Sequence, residues 1–217
     1  MKSLSIITRS DYKEYIPCSL SFMAPWILTH LEKTLPHSFS IETLVDVIAG
    51  NVDGNDSGFL PDLARLEFIY NYLKSSSFKF EDVSSTIINP TLHVIETPWQ
   101  GLEETLNSQD SGLLLSLSDP GMLLVYINPR SGEVVVKTAD ANDLLALKLV
   151  VEEIGPGELT VRDFDDIIDD ADVRGLLIKP KSLIIRDPVN FPKGKNIDPQ
   201  YFYSDFFTLQ WHITQAC

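Results

Sequence analysis

The sequence predicts an α+β fold, in which an N-terminal helical bundle precedes a small antiparallel sheet and a second group of helices. Three patterns predict it. Apolar residues recur every three to four positions through the first ninety residues; short apolar runs broken by turn residues follow; helical spacing then returns. With 217 residues, 44% hydrophobic and 22% charged, the chain can bury a core in one or two domains.

Phe22, Met23, Trp26, Ile27, Leu31 and Leu35 form the first helical stripe, with Pro25 acceptable in a first turn and Pro36 ending the helix. Ser40 is placed to cap a second helix bearing Ile41, Leu44, Val45 and Ile48, and Gly50 is expected to close it in a left-handed conformation. A third helix is expected from Pro61, with Leu63, Leu66, Tyr70 and Leu73 as its stripe and Asp62 suited to its positive end. The turn before it offers Asp53, Asn55 and Ser57 at calcium-loop spacing, but Ala64 stands where a bidentate Glu is required. The reading kept for that stretch is an Asn/Asp/Gly turn.

Past the serines at 75–77 the pattern changes. Residues 92–99, 113–117, 122–127 and 133–137 read as strands, the last two joined by a Pro- and Gly-containing turn at 128–132. Asp140 is placed to cap a helix carrying Leu144, Leu145, Leu147, Leu149, Val151 and Ile154, which Gly155, Pro156 and Gly157 stop. Thr160 and Asp163 imitate a capping box for a helix with Val161, Phe164 and Ile168 inward. A turn and a short helical turn over 169–174 then lead to apolar strands at 176–178 and 183–185. Sheet, two helices, short helix and wing make a winged helix-turn-helix-like order. Three prolines in 187–199 stiffen a connector. The expected organisation is a helical domain over 1–90, a winged-helix-like α+β domain over 91–187, a linker over 188–200, and a further strand over 201–217.

Charge narrows the partners. Against 17 Lys and Arg stand 31 Asp and Glu, a net charge of -14 that repels phosphate backbones and makes nucleic acid an unsuitable partner. No apolar run reaches the roughly 18 residues of a membrane span, and the N-terminus lacks a signal-peptide core, so a cytoplasmic protein without membrane contact is expected. Cys18 and Cys217 are too far apart for a disulfide framework or a zinc knuckle, and Cys18 reads as a packed free thiol. His30, His37, His93 and His212 cluster neither with a nucleophile nor with each other in sequence, and no phosphate-binding glycine loop or nucleophile elbow is present, so no catalytic residue is assigned. Asp163, Asp165, Asp166, Asp169, Asp170 and Asp172 form the densest charge run, read as a solvated helix face that could attract a basic partner.

At the C-terminus, Leu209, Trp211 and Ile213 alternate with Gln210 and His212 as in a strand, and Thr214, Gln215 and Ala216 turn toward Cys217. This segment resembles the opening of a radical S-adenosylmethionine enzyme, where the first barrel strand leads into a CxxxCxxC loop. The resemblance implies that Cys217 is the first of three metal ligands, the other two being absent. It also implies a four-iron four-sulfur cluster and S-adenosylmethionine in a full-length parent, with no cofactor in this chain alone. A chain stopping where the catalytic barrel begins is compatible with an artificial boundary, a frameshift or a stop codon read as selenocysteine. In element order the winged segment resembles the peptide-recognition modules attached to radical enzymes that modify ribosomal peptides. The string 59–67 also looks like a helix of small bacterial proteins labelled DNA-binding, although Arg65 and Glu67 there read more simply as local ion-pair or capping residues.

The resemblance implies an accessory region of a peptide maturase that recognises a precursor peptide or a protein partner. An edge strand is the natural docking site, because unpaired backbone groups give affinity and alternate side chains give selectivity. Glu133, Val134, Val135, Val136 and Lys137 are the candidate strand, with Asp172 and Leu176 in the facing segment 170–176. A stand-alone interaction or regulatory adaptor is the competing expectation.

Overall fold

Pro25 sets the shape of the N-terminal region. The computed structural model describes residues 7–52, 57–108, 116–154 and 164–181. The stripe expected to run from Phe22 is divided between two helices, because Pro25 occupies the first position of a new one and Ala24 before it is extended at φ -62, ψ 148. Trp26 is 55% exposed and does not belong to the core stripe.

The elements run β1 (Ile7–Thr8), α1 (Tyr12–Tyr15), α2 (Pro17–Phe22), α3 (Pro25–Thr34), β2 (Ser38–Phe39), α4 (Ile41–Ala49) and α5 (Leu60–Ser75). Then come β3 (Ile87–Ile88), β4 (His93–Gln100), α6 (Leu102–Ser108), β5 (Ser116–Ile127), β6 (Val134–Thr138), α7 (Ala141–Val151), α8 (Phe164–Arg174) and β7 (Leu177–Ile178). The fold is α+β. The Ser40 hydroxyl caps α4 by accepting the Thr43 N–H at 3.3 Å. Gly50 ends α4 at φ -72, in the right-handed region, so the left-handed closure expected there is not what stops the helix. Buried residues of α5 include Leu60, Leu63, Ala64, Leu66, Glu67, Phe68, Ile69 and Leu73, more than one stripe, and this helix is the axis on which α1, α2, α4 and the sheet pack.

β4, β5 and β6 form an antiparallel sheet in the order β4-β5-β6. Residues 116–117 and 122–127, expected as parts of two strands, belong to one strand, β5, opposite β4 and then β6. The expected turn at 128–132 closes the β5–β6 hairpin, with Gly132 at φ 73. Period-two alternation divides the sheet's side chains between two cores. Ile95, Leu123, Val125 and Ile127, with Val134 and Val136 beside them, face the helices of the first ninety residues. Leu124 and Tyr126, with Val135, face α7 and α8. The first core therefore crosses the 90/91 boundary expected from sequence, and Met1–Lys181 form one compact unit.

α8 runs without interruption from Phe164 to Arg174, replacing the turn and short helix expected over 169–174, because Ile168 and Ala171 lie on the same buried side three residues apart. Gly175 ends it at φ +81. A Cβ there would lie 2.7 Å from the Pro129 Cδ, so glycine is required both by conformation and by the close passage of the β5–β6 turn. β7 pairs antiparallel with β3, ninety residues earlier. The expected wing strand at 183–185, the linker 188–200 and the strand 201–217 with Cys217 lie outside the described residues. So do Asp53 and Asn55 of the calcium-like turn, the glycines at 155 and 157, and the Thr160–Asp163 cap.

Candidate functional site

Among the described residues, β6 has β5 on one side and no strand on the other. Antiparallel pairing alternates residues that exchange hydrogen bonds with the partner and residues whose peptide groups point away. The Asn128 N–H donates to the Glu133 carbonyl at 2.8 Å, and the Ala139 N–H to the Met122 carbonyl at 2.8 Å. With the β5–β6 register, those pairs place the peptide groups of Val135 and Lys137 toward β5 and those of Val134, Val136 and Thr138 toward the open edge. Thr138 is already engaged, for its backbone hydrogen-bonds the Glu103 carboxylate of α6. Burial, then the neighbouring Glu104 charge, raise the Glu103 pKa, and the bond from Thr138 opposes them. Among the described residues, Val134 and Val136 thus keep outward N–H and C=O groups, next to the hairpin.

The other predicted site residues separate. Lys137 points to the opposite face of the sheet, where its ammonium lies 2.6 Å from Asp143 Oδ2 and 3.4 Å from Asp140 Oδ2. Burial pulls the Lys137 pKa down, but the hydrogen bond and charge of Asp143 and the charge of Asp140 outweigh it and leave it raised. Asp143 is 1% exposed and also receives the Arg174 guanidinium at 2.5 Å. It closes a reciprocal cap with Asp140 at the start of α7: each carboxylate accepts the other residue's backbone N–H, at 2.8 and 2.9 Å. β6, α7 and α8 are thereby tied through one buried carboxylate. Asp172 sits at the hairpin turn, where it pairs with Arg130 at 2.7 Å and accepts the Lys179 N–H at 3.0 Å. Leu176 is 0% exposed and is a core residue beside Leu124 and Tyr126, which leaves it no surface to offer a ligand. Glu133 is exposed at the hairpin end of β6.

The acidic run of α8 is partly neutralised. Asp169 pairs with Lys179, Asp170 with Arg174 at 2.8 Å and Asp172 with Arg130, which leaves Asp165 and Asp166 as its exposed carboxylates without an ion pair among the described residues.

Two arrangements carry no periodic signal in the sequence. Asn89, 2% exposed, donates from its amide to the Ile127 and Gly175 carbonyls at 2.8 and 2.7 Å and accepts the Thr91 N–H and hydroxyl at 2.9 and 2.7 Å. A cavity of about 590 Å³ lies at the hairpin end of the β6 edge, walled by Tyr70, Leu73, Phe78, Ile127 and Val134 with Lys74 and Glu133 among its lining. Burial lowers the His93 pKa.

No family model matches this chain, and no curated protein matches it. Among the described residues no helix is long and apolar enough to cross a membrane, and no three His, Cys, Asp or Glu side chains converge to hold a metal ion.

Proposed function

We propose that this chain is the substrate- or partner-recognition region of a radical S-adenosylmethionine peptide maturase, with the open edge of β6 as its docking strand. The observation that carries the reading is the pair of outward peptide groups at Val134 and Val136. They offer donors and acceptors at the spacing of an added strand, the directional chemistry that an extended peptide satisfies. A three-stranded sheet followed by α7, α8 and β7 gives an α+β build compatible with a recognition module. The net charge of -14 turns that module away from DNA and toward a peptide or protein.

The chain's own cysteines do not make a cluster site. Three thiolates are needed, and Cys18 is an unsuitable one. Burial and then the nearby Glu67 charge push its pKa up to about 11, and its thiol donates to the Thr105 carbonyl. On this reading the described residues supply recognition.

Val136→Pro removes an outward N–H while leaving the β5 ladder intact, and Val136→Ala controls for lost packing. The proline variant should bind the maturase's precursor peptide at least about tenfold more weakly by calorimetry than the alanine variant, with a comparable melting temperature. Equal affinity would remove edge docking. The maturase assignment is tested separately: sequence continuing past Cys217 should supply two more cysteines at CxxxCxxC spacing and iron–sulfur absorbance after anaerobic reconstitution. A stand-alone adaptor is the second reading, favoured by the compactness of Met1–Lys181; it requires partner affinity to survive deletion of residues 201–217.

A further inference from the structure

We infer that the cavity between α5 and the β5–β6 hairpin is a side-chain subsite for a peptide added to β6, taking one large uncharged apolar residue. The inference rests on the edge-docking reading and adds to it where selectivity resides. A residue exchanging hydrogen bonds with Val134 has its side chain on the same face of the sheet as Val134, about 5.5 Å away. That face looks toward α5, because Val134 packs on the first core with Ile127. The cavity opens at this spot, and Val134 is part of its wall.

Two further observations define the occupant. The edge is closed at its far end, where Glu103 holds Thr138, so the open peptide groups and the cavity coincide at the hairpin end. The lining brings one cation and one anion, Lys74 and Glu133, and neither carries an ion pair among the described residues. The Lys74 ammonium instead lies 5.5 Å from the Tyr70 ring centroid. In a chain of net charge -14 this is a locally balanced site, matched to an uncharged side chain. Tyr70, Leu73 and Phe78 supply apolar walls, and Phe78, 40% exposed, packs edge-on against Phe80 with centroids 4.9 Å apart. A volume of about 590 Å³ accommodates Leu or Phe.

The test is a nitrogen-15 NMR titration of the full chain with capped threonine-rich heptapeptides whose central residue is Leu, Phe, Ala or Asp. The Leu and Phe peptides should bind about tenfold more tightly than the Ala peptide, and the Asp peptide no better than Ala. They should shift the amides of Ser77 and Phe78 together with those of Val134 and Val136. Phe78→Ala, a change at a partly exposed wall, should reduce the preference for Leu to within about twofold while the Ala peptide still shifts Val134 and Val136. If all four peptides shift the edge amides equally and Ser77 and Phe78 stay silent, the subsite is overturned and edge docking stands. If no peptide moves Val134 or Val136, edge docking falls and the subsite with it.

Discussion

Glu67 accepts both the backbone N–H and the hydroxyl of Ser19, each at 2.7 Å, from the middle of a helix 48 residues further along the chain. The same carboxylate takes the Cys18 N–H at 2.5 Å, so it satisfies the otherwise orphaned donors at the start of α2. Glu67 is 1% exposed. Removing it by Glu67→Ala strands two buried N–H groups and should cost about 3 kcal/mol, measured by urea unfolding.

The pH dependence at this site has a defined sign. Burial raises the Glu67 pKa above its ordinary value, against the bonds from Ser19 and Cys18. A raised carboxyl pKa favours the protonated folded state, so this contribution to stability is fully present below the unfolded pKa and is lost as pH rises through the folded one. The stability advantage of wild type over Glu67→Gln should therefore shrink as pH rises above the ordinary glutamate range. An advantage growing with pH would show that the hydrogen bonds, and not burial, dominate.

Asp143 joins Lys137 to Arg174 at 2.6 and 2.5 Å. Asp143→Ala leaves two half-buried cations facing each other and breaks the α7 cap, and should cost about 3 to 5 kcal/mol. In a double-mutant cycle Lys137→Met and Arg174→Met should be non-additive, since both act through one carboxylate. Additive losses would mean that the two cations are independently solvated.

Gly175→Ala should destabilise by about 2 to 3 kcal/mol, because the left-handed φ and the overlap with the Pro129 ring act together. Gly132→Ala makes the comparison. Its φ is +73 but nothing lies within 4 Å of an added Cβ, so its cost should be about 1 kcal/mol. Equal melting temperatures for the two variants would discount the contact with Pro129.

Cys18 should resist alkylation in the native protein at neutral pH, since its thiol is buried and its pKa is raised to about 11. In a Cys217→Ser background, labelling followed by mass spectrometry should modify Cys18 only on the timescale of unfolding. Rapid native labelling would show that the start of α2 opens locally.

Local chemistry made much of this legible in the sequence. Ser40, Asp140 and the 128–132 turn act within three to five residues of themselves, so capping and turn rules locate them. Glu67 as a capping residue was also within reach, although the helix it caps was not. Asp143, three residues after Asp140, carried a capping-box spacing that could have been read. The single stripe assigned to α5 was too narrow, because a helix packed on several sides loses its polar face. Long-range placement was beyond local patterns: Leu176 and Val134 are both apolar residues near strands, yet one is sealed by α8 and the other borders an open edge. The two outward peptide groups depend on hairpin register, and the cavity on bringing α5 against a hairpin far along the chain.

The four hydrogen bonds of the Asn89 side chain also constrain the order of assembly. Its amide spans 38 residues to Ile127 and 86 residues to Gly175. During synthesis, a ribosome that has released the chain only as far as α7 presents Asn89 with one of its two acceptors. The amide then has a donor unspent beside a half-built second core, while the first core, complete by Val136, can already condense. On the ribosome the bond from Asn89 to Gly175 must await release of the end of α8, whose docking turns a helix-covered hairpin into a sheet buried on both faces.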